Sequence, residues 1–492
     1  MKKILLLVIL AGSNLMGFAQ AEFDVLRIAQ TDILGTARFT AMGGAFGALG
    51  GDMSAISINP AGIGIYRASE LSFSPAFQNS VAVSNLNNYP SNSTKNNMLI
   101  NGFGYVGTFR TFNDTEISNF NFALTYNKVA DFNQNTWVRG LNNTSSLLDR
   151  MVMLENDVFG VGHSPYYDFA SGVGVLGLNT EQTAYVNPLL AGETTNSDLD
   201  LKESGGIHAW NVSMGMNFNH NFYLGVGLGL QNITYERNSS YMEEYEEGGS
   251  IDLRNTLLTT GTGLDFKVGL IYKLKPELRI GLAVNSGSYY TLTDVFQSSM
   301  ASFDFVNPNP KVIGDVDFVD YVVKTPSKWT TSVAYLFGTQ GLISLDAEFI
   351  NYQKMSLRNS NGFVIDEIEN FIDIDFRNTV NLRAGGEYRI TERLSGRGGI
   401  AWNPSPLVAD LEYEDIVTPN TRPEYSMLRD TWTASMGFGY RTSTFFVDLA
   451  VQDKLSYEHV FPYYYASTTT TNDYSRLTRD KVSMVMTCGL RF

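Results

Sequence analysis

One feature limits what this chain can fold into: a two-residue alternation of apolar and polar side chains, sustained over long stretches. Trp210, Val212, Met214, Met216 and Phe218 alternate with Asn211, Ser213, Gly215 and Asn217. Phe222, Leu224, Val226, Leu228 and Leu230 alternate with Tyr223, Gly225, Gly227 and Gly229. Ile343, Leu345, Ala347 and Phe349 do the same, as do Val380, Leu382 and Ala384. A period of two sends one set to each face of a strand. Strands are expected near 70–77, 99–110, 117–129, 207–218, 221–237, 261–274, 277–293, 327–338, 341–356, 378–390, 393–403, 430–441, 443–458 and 478–492. Many exceed the roughly 5–6 residues common in soluble sheets.

The spacing between these strands is lopsided. Short turns fall at Asn219-His220, Lys275-Pro276, Thr339-Gln340, Thr391-Glu392 and Thr442. Long connections fall at 78–98, 130–206, 238–260, 294–326, 357–377, 404–429 and 459–477. Short turns at one end and long loops at the other describe an outer-membrane barrel. Lipid requires internal pairing of every backbone polar group, which a closed barrel provides. The expected fold is therefore all-β: a transmembrane antiparallel β-barrel of about 14 strands, covering 67–492. The 31 Phe and 26 Tyr suit aromatic girdles. Val482, Met484, Met486, Cys488, Leu490 and Phe492 form one apolar face ending the chain. A terminal aromatic strand is the signal expected by barrel-assembly machinery, which makes Phe492 a candidate recognition residue. Cys488 falls on the lipid side and reads as a small apolar residue.

Met1-Lys2-Lys3, the apolar Ile4–Leu10 and the small residues at Ala19-Gln20-Ala21 read as a secretory signal peptide over 1–21. Its removal leaves a net charge of −17, from 33 basic and 50 acidic residues. That balance argues against a nucleic-acid partner. One Cys excludes a disulfide scaffold and Cys-based metal centres. No cofactor and no metal site are expected: His163, His208, His220 and His459 are scattered. The clusters Asp315, Asp317, Asp320 and Asp366, Glu367, Glu369 read first as solvated loop charge, with cation bridging to lipopolysaccharide as the alternative. Gly172-Val173-Gly174-Val175-Leu176-Gly177 lacks the βαβ context a dinucleotide site needs. No triad or carboxylate pair supports an enzyme.

Residues 22–66 break the alternation. Six glycines between 43 and 62 forbid a long helix. A lumen ringed by 14 strands lies between self-filled and open barrels, and a compact Gly-rich segment could plug it. A flexible leader is the alternative. The stretch Gly35-Thr36-Ala37-Arg38, Met42-Gly43-Gly44-Ala45 and Asn59-Pro60-Ala61-Gly62 resembles the start of the FadL/TodX family of outer-membrane transporters for long-chain fatty acids and other hydrophobic compounds. Thr325-Pro326-Ser327-Lys328-Trp329, Asp346-Ala347-Glu348-Phe349, Gly399-Ile400-Ala401-Trp402-Asn403-Pro404-Ser405-Pro406 and Gly437-x-Gly439-Tyr440 extend the resemblance across the chain. The longer form around Asn59 is similar to the Bacteroidetes branch, sometimes labelled haemin receptor. The resemblance implies a hatch over 22–66 carrying Asn59, Pro60, Ala61 and Gly62. It also implies extracellular capture, a lumen pocket, sideways release through the wall, and a monomer.

In the longest loop, Leu147, Leu148, Met151, Leu154, Val158 and Phe159 fall at helical spacing, with Ser145 or Ser146 as the cap. This face suits a capture groove for a hydrophobic small molecule, or packing against the barrel rim. Passive transport of such molecules is the first functional expectation. The second is a barrel used as a docking subunit, for example in a secretion system. A porin, with a charged wet lumen, is the third. Outer-membrane lipid and lipopolysaccharide are the expected surroundings.

Overall fold

The computed structural model describes residues 22–111, 116–187, 189, 193–304, 309–408, 411, 421–463 and 474–492. Residues 1–21, expected as a signal peptide, lie outside them.

Fourteen antiparallel strands form a closed wall. They are β1 (Glu70–Leu86), β2 (Tyr89–Arg110), β3 (Ile117–Asp131, continued by Gln134–Asn143), β4 (Thr195–Phe218), β5 (Phe222–Tyr245), β6 (Ser250–Lys273) and β7 (Leu278–Asn285 and Tyr289–Phe303). Then follow β8 (Asp317–Lys324 and Lys328–Phe337), β9 (Gly341–Asn351 and Ser356–Asn359), β10 (Asn378–Arg389), β11 (Leu394–Asn403), β12 (Tyr425–Arg441), β13 (Phe445–Phe461) and β14 (Ser475–Arg491). β14 closes on β1 from Glu70↔Arg491 to Asn85↔Arg476. Alternation sorts the side chains as expected. Leu228, Val268, Leu345, Met486 and Cys488 are exposed on the outside, while Asn211, Ser332, Ser344 and Asp346 are buried inside. Trp210, Trp329 and the stacked Trp402–Trp432 pair mark one edge of the apolar band. Phe218–Phe222, Tyr335–Phe337 and Tyr440–Phe445 mark the short-turn edge, which faces the periplasm in barrels of this kind.

The wall is taller than the alternation suggests. β4, β5 and β6 each run 24 residues, against the roughly 9–11 that cross a bilayer. Segments 78–98 and 238–260, expected as long connections, are instead strand extensions. They end in tight turns at Asn87-Asn88 and 246–249. Asn87 and Asn88 take positive φ (50° and 66°), as do Asn219 and His220 (48° and 58°), which suits the primed turns that hairpins favour. Above the bilayer no lipid selects apolar outward residues, so Thr94, Asn96 and Glu244 stand where the pattern would need Leu or Val.

Residues 22–66 lie against the inner wall. They form α1 (Glu22–Ala29), α2 (Ala37–Ala41) and short 3-10 turns at Met53–Ser57 and Pro60–Ile65. Ala37 N–H donates to Thr487 (2.7 Å), Gly43 N–H to Ser435 (3.1 Å) and Gly47 N–H to Asp346 (2.9 Å). Asn121 donates to the Ile63 carbonyl (2.6 Å). The segment thus ties to β3, β9, β12 and β14 across the lumen. Inward-facing strand glycines form its seat. A Cβ on Gly225 would lie 2.2 Å from Pro60 backbone carbon, and one on Gly399 2.2 Å from that of Met42. Gly281 and Gly385 meet Gly47 and Met42 in the same way.

Gly225→Val and Gly399→Leu should therefore unseat the segment, at a cost of about 1–3 kcal/mol each from overpacking. Planar-bilayer recordings should show several-fold higher conductance for the double variant than for the wild type. Equal conductance would mean that the seat does not hold the plug.

Candidate functional site

The Asn59–Gly62 motif binds two parts of the hatch to one another and to the wall. Asn59 caps the turn, its Oδ1 accepting from Ala61 N–H at 3.0 Å. Its Nδ2 donates to the Gly47 carbonyl at 2.6 Å and to the Leu270 carbonyl of β6 at 3.2 Å. Pro60 supplies the fixed φ of the first turn position. Ala61 is buried against Tyr223 and Ile271. Gly62 lies so close to Gly50 that a Cβ on it would come within 2.8 Å of the Gly50 Cα. A second anchor joins the hatch to the wall near the periplasm: Arg38 pairs with Glu387 (2.8 Å), which also holds Arg397 (2.7 Å).

Above the hatch lies a cavity of about 280 Å³, lined by α1 and by charge. Its charges are matched in pairs: Arg422–Asp24, Arg237–Glu424, Lys454–Asp32, Arg479–Glu458 and Lys481–Asp131. A second cavity, of about 100 Å³, is amphipathic. Ile28, Ile33, Leu34, Phe39 and Ile58 of the hatch give it an apolar side. Lys328 and Arg383 lie on the other side. Arg383 spends one nitrogen on Glu348 (2.8 Å), and its Nε and Nη1 are buried with no partner. Lys328 donates to the Thr31 hydroxyl at 2.9 Å.

The second cavity reaches β3 at Asn127, Lys128 and Val129, where the wall is incomplete. β2 pairs with β3 only from Gly102↔Asn127 to Arg110↔Asn119. Beyond that level β3 shifts register at Lys128/Ala130, and its continuation turns in across β1, with Ser84 donating to the Trp137 carbonyl (2.5 Å). A side-chain bridge resumes only at Ser93 and Thr94, through Asn135. Between these points, Lys95–Ile100 has a strand partner only in β1, and Asn101 has none. Met98 there is 86% exposed. Asn101 is the extra residue of a bulge opposite Ser74/Pro75, buried with both amide atoms unpartnered. On the outer face, next to this stretch, the last paired rungs carry Phe103, Tyr126 and Trp210, with Phe103–Tyr126 stacked at 4.9 Å.

The loop helix forms where its spacing suggests, as α3 (Leu147–Met153) running into a wider turn at Leu154–Val158. Ser146 and Asp149 make a reciprocal capping box. Of the two readings of its apolar face, capture groove or packing against the rim, this conformation has the packed one. Leu147, Leu148, Met151 and Leu154 are fully buried against Leu199, Tyr241, Leu253 and Met300, with Val158 and Phe159 at the edge. The wall extensions that looked like loops supply the covering surface, so the helix caps the extracellular mouth. Glu243 of β5 fastens it, accepting from the Ser146 hydroxyl (2.9 Å), Leu147 N–H (3.1 Å), Tyr241 (3.3 Å) and Tyr245 (3.1 Å).

Phe492 follows β14 on the outer face, its backbone paired both ways with Ser69. Lys328, Arg383, Asn101 and Glu243 were not singled out from the sequence. Pro75 inside a strand was an available sign of the bulge, and Lys128 beside Asn127 an available sign of broken alternation.

No protein-family model matches the sequence, and no curated protein does. Among solved structures, a FadL homologue of Pseudomonas aeruginosa is similar over 94% of this chain and 99% of its own, with 13% identity and a TM-score of 0.54. The toluene transporter TodX of P. putida is similar over 94% and 99%, with 13% identity and a TM-score of 0.51. At those identities the likeness is one of fold.

Burial pushes the Glu243 carboxyl up to about 7, against the opposing effect of its hydrogen bonds. A docked cap that prefers the protonated acid holds best in acid and loosens as pH climbs from about 4.5 through about 7. Spin labels at Asp157→Cys and Glu244→Cys, on a Cys488→Ser background, should give a broader distance distribution at pH 8.5 than at pH 5.5. In Glu243→Gln the distribution should stay narrow at both. An unchanged distribution in the parent would refute the latch.

Proposed function

We propose that this protein passes hydrophobic molecules with an anionic head across the outer membrane, releasing them sideways into the bilayer. The observation that carries the reading is the amphipathic cavity that runs from the hatch to β3 at Asn127, Lys128 and Val129, beside the stretch where β2 and β3 are not paired. Backbone left unpaired at a lipid boundary is expensive. Its retention there fits a place that a passing ligand crosses. The apolar hatch side chains suit a hydrocarbon tail. Lys328 and the two free nitrogens of Arg383 suit a carboxylate, which Arg can hold in bidentate fashion. The shared fold with a protein named as a toluene transporter supports a hydrophobic cargo.

In this account cargo enters when the cap lifts from the wall extensions and exposes the face of Leu147, Leu148, Met151, Leu154, Val158 and Phe159. It settles against the hatch and leaves past Val129 and Ile100. β3 joins both events: Asn119 and Asn121 hold the hatch carbonyls of Ile63, Gly64 and Tyr66, while Lys128 and Val129 border the opening. Transport needs no energy source beyond the gradient. The chain acts without catalysis and as a monomer, with Phe492 read during assembly.

Continuing the β2–β3 register places Ile100 opposite Val129. Ile100→Cys/Val129→Cys, on the Cys488→Ser background, should lose most oleate uptake when bridged by a short thiol cross-linker and recover it with a cleavable one after reduction. Arg383→Gln should lower uptake of oleate at least tenfold but leave that of an uncharged hydrocarbon nearly unchanged. Full uptake through the bridged wall would overturn sideways release.

A further inference from the structure

The periplasmic end of the lumen holds a group of cations that the transport reading does not use. Lys273 and Arg279 are cross-strand neighbours at the short-turn ends of β6 and β7. They share the inward face with Gly269 and Gly281, which seat the hatch. Arg67, the residue that follows the hatch, is exposed and near enough to act on both. The charged groups acting on Lys273 are Arg279 and Arg67, and Arg279 in turn feels Arg38 and Arg67. Among the described residues none of the three pairs with a carboxylate. Glu277, in the same turn, is exposed and bridges to neither.

Among the described residues at this end, Arg38, Arg397 and Arg491 pair with Glu387, Asp448 and Glu70, and Arg441 stacks on Phe446. The chain as a whole carries −15. Three cations gathered without an anion repel one another, and partial burial strengthens the repulsion. The hydrogen bonds they do make are to neutral groups. Lys273 donates to the Tyr223 hydroxyl at 2.5 Å, and that hydroxyl donates to the His220 carbonyl at 2.9 Å. Arg279 Nη1 donates to the Leu49 carbonyl at 3.1 Å, while its Nε is buried with no partner.

We infer that Lys273, Arg279 and Arg67 form a binding site for an oxyanion, a carboxylate or a phosphate, that bridges the wall to the hatch. The Nε of Arg279 and the remaining protons of Lys273 supply the donors from the wall, and Arg67 closes the site from the hatch. The consequence follows from Leu49. It precedes Gly50, which packs on Gly62 of the Asn59–Gly62 motif. An anion held by Arg279 fixes the side chain whose other nitrogen grips Leu49, so a bound anion keeps the hatch seated. The same oxyanion chemistry is offered by a free anion in the periplasm and by the headgroup of a phospholipid in the inner leaflet.

The test uses the full-length protein in nanodiscs, with a spin label at Ser57→Cys on the Cys488→Ser background to report hatch mobility. In phosphatidylcholine discs, inorganic phosphate should slow the label. Discs containing phosphatidylglycerol should do so without phosphate if the source is a headgroup. Either response, weakened at least tenfold in half-saturating concentration or lipid fraction by Arg279→Gln and preserved by Lys273→Arg, supports the site and names its source. Lys273→Gln gives a second neutralising variant should Arg279→Gln fail to fold. No response to either anion, or responses unchanged by both neutralising variants, would overturn it.

Discussion

Everything in this structure follows from one constraint: a chain that crosses lipid as strands must pair its backbone with itself. Closure of β14 on β1 meets that demand at the seam where an open sheet would expose an edge. Closure leaves a lumen too wide for the wall's own side chains to fill, and the N-terminal segment fills it. The small residues on the inner wall are the outcome. Gly225, Gly281, Gly385 and Gly399 are strand positions where the hatch backbone takes the place of a side chain, and at Gly269 the Asn59 side chain does so.

Against that background the stretch Lys95–Asn101 is a place beside the second cavity where the wall has no partner on its β3 side. It lies beside the strand whose Asn119 and Asn121 hold the hatch. The hatch, β3 and the opening therefore form one connected unit, and a shift of the hatch has a direct route to the wall. The extracellular cap is a separate unit, fastened by Glu243 and its own apolar core. The molecule thus has closures above and below the cavities and a gap beside them.

The sequence made the architecture legible where lipid imposes a pattern. Alternation located all fourteen strands, and the short turns fell where Asn219-His220 and Thr391-Glu392 indicate. It failed where lipid stops. The extensions in 78–98 and 238–260 pair as strands without an apolar outer face, so nothing in their residue order distinguishes them from loops. The helix at Leu147–Met153 was legible by spacing, but not the surface that covers it, because that surface comes from those unseen extensions. The ion pairs of the lumen were illegible for a different reason: Asp24 and Arg422 are 398 residues apart, and only closure of the barrel brings them together. The bulge at Asn101 left a trace in Pro75, a residue that cannot donate to a ladder.

The distinctive feature of the wall is that β2 has no strand partner on its β3 side along Lys95–Asn101. Amide hydrogen exchange in lipid nanodiscs reads this residue by residue. The account predicts strong protection for Phe103, Tyr105, Gly107 and Phe109, and fast exchange for the amides of Lys95–Asn101 that point away from β1. Uniform protection along the whole of β2 would contradict it.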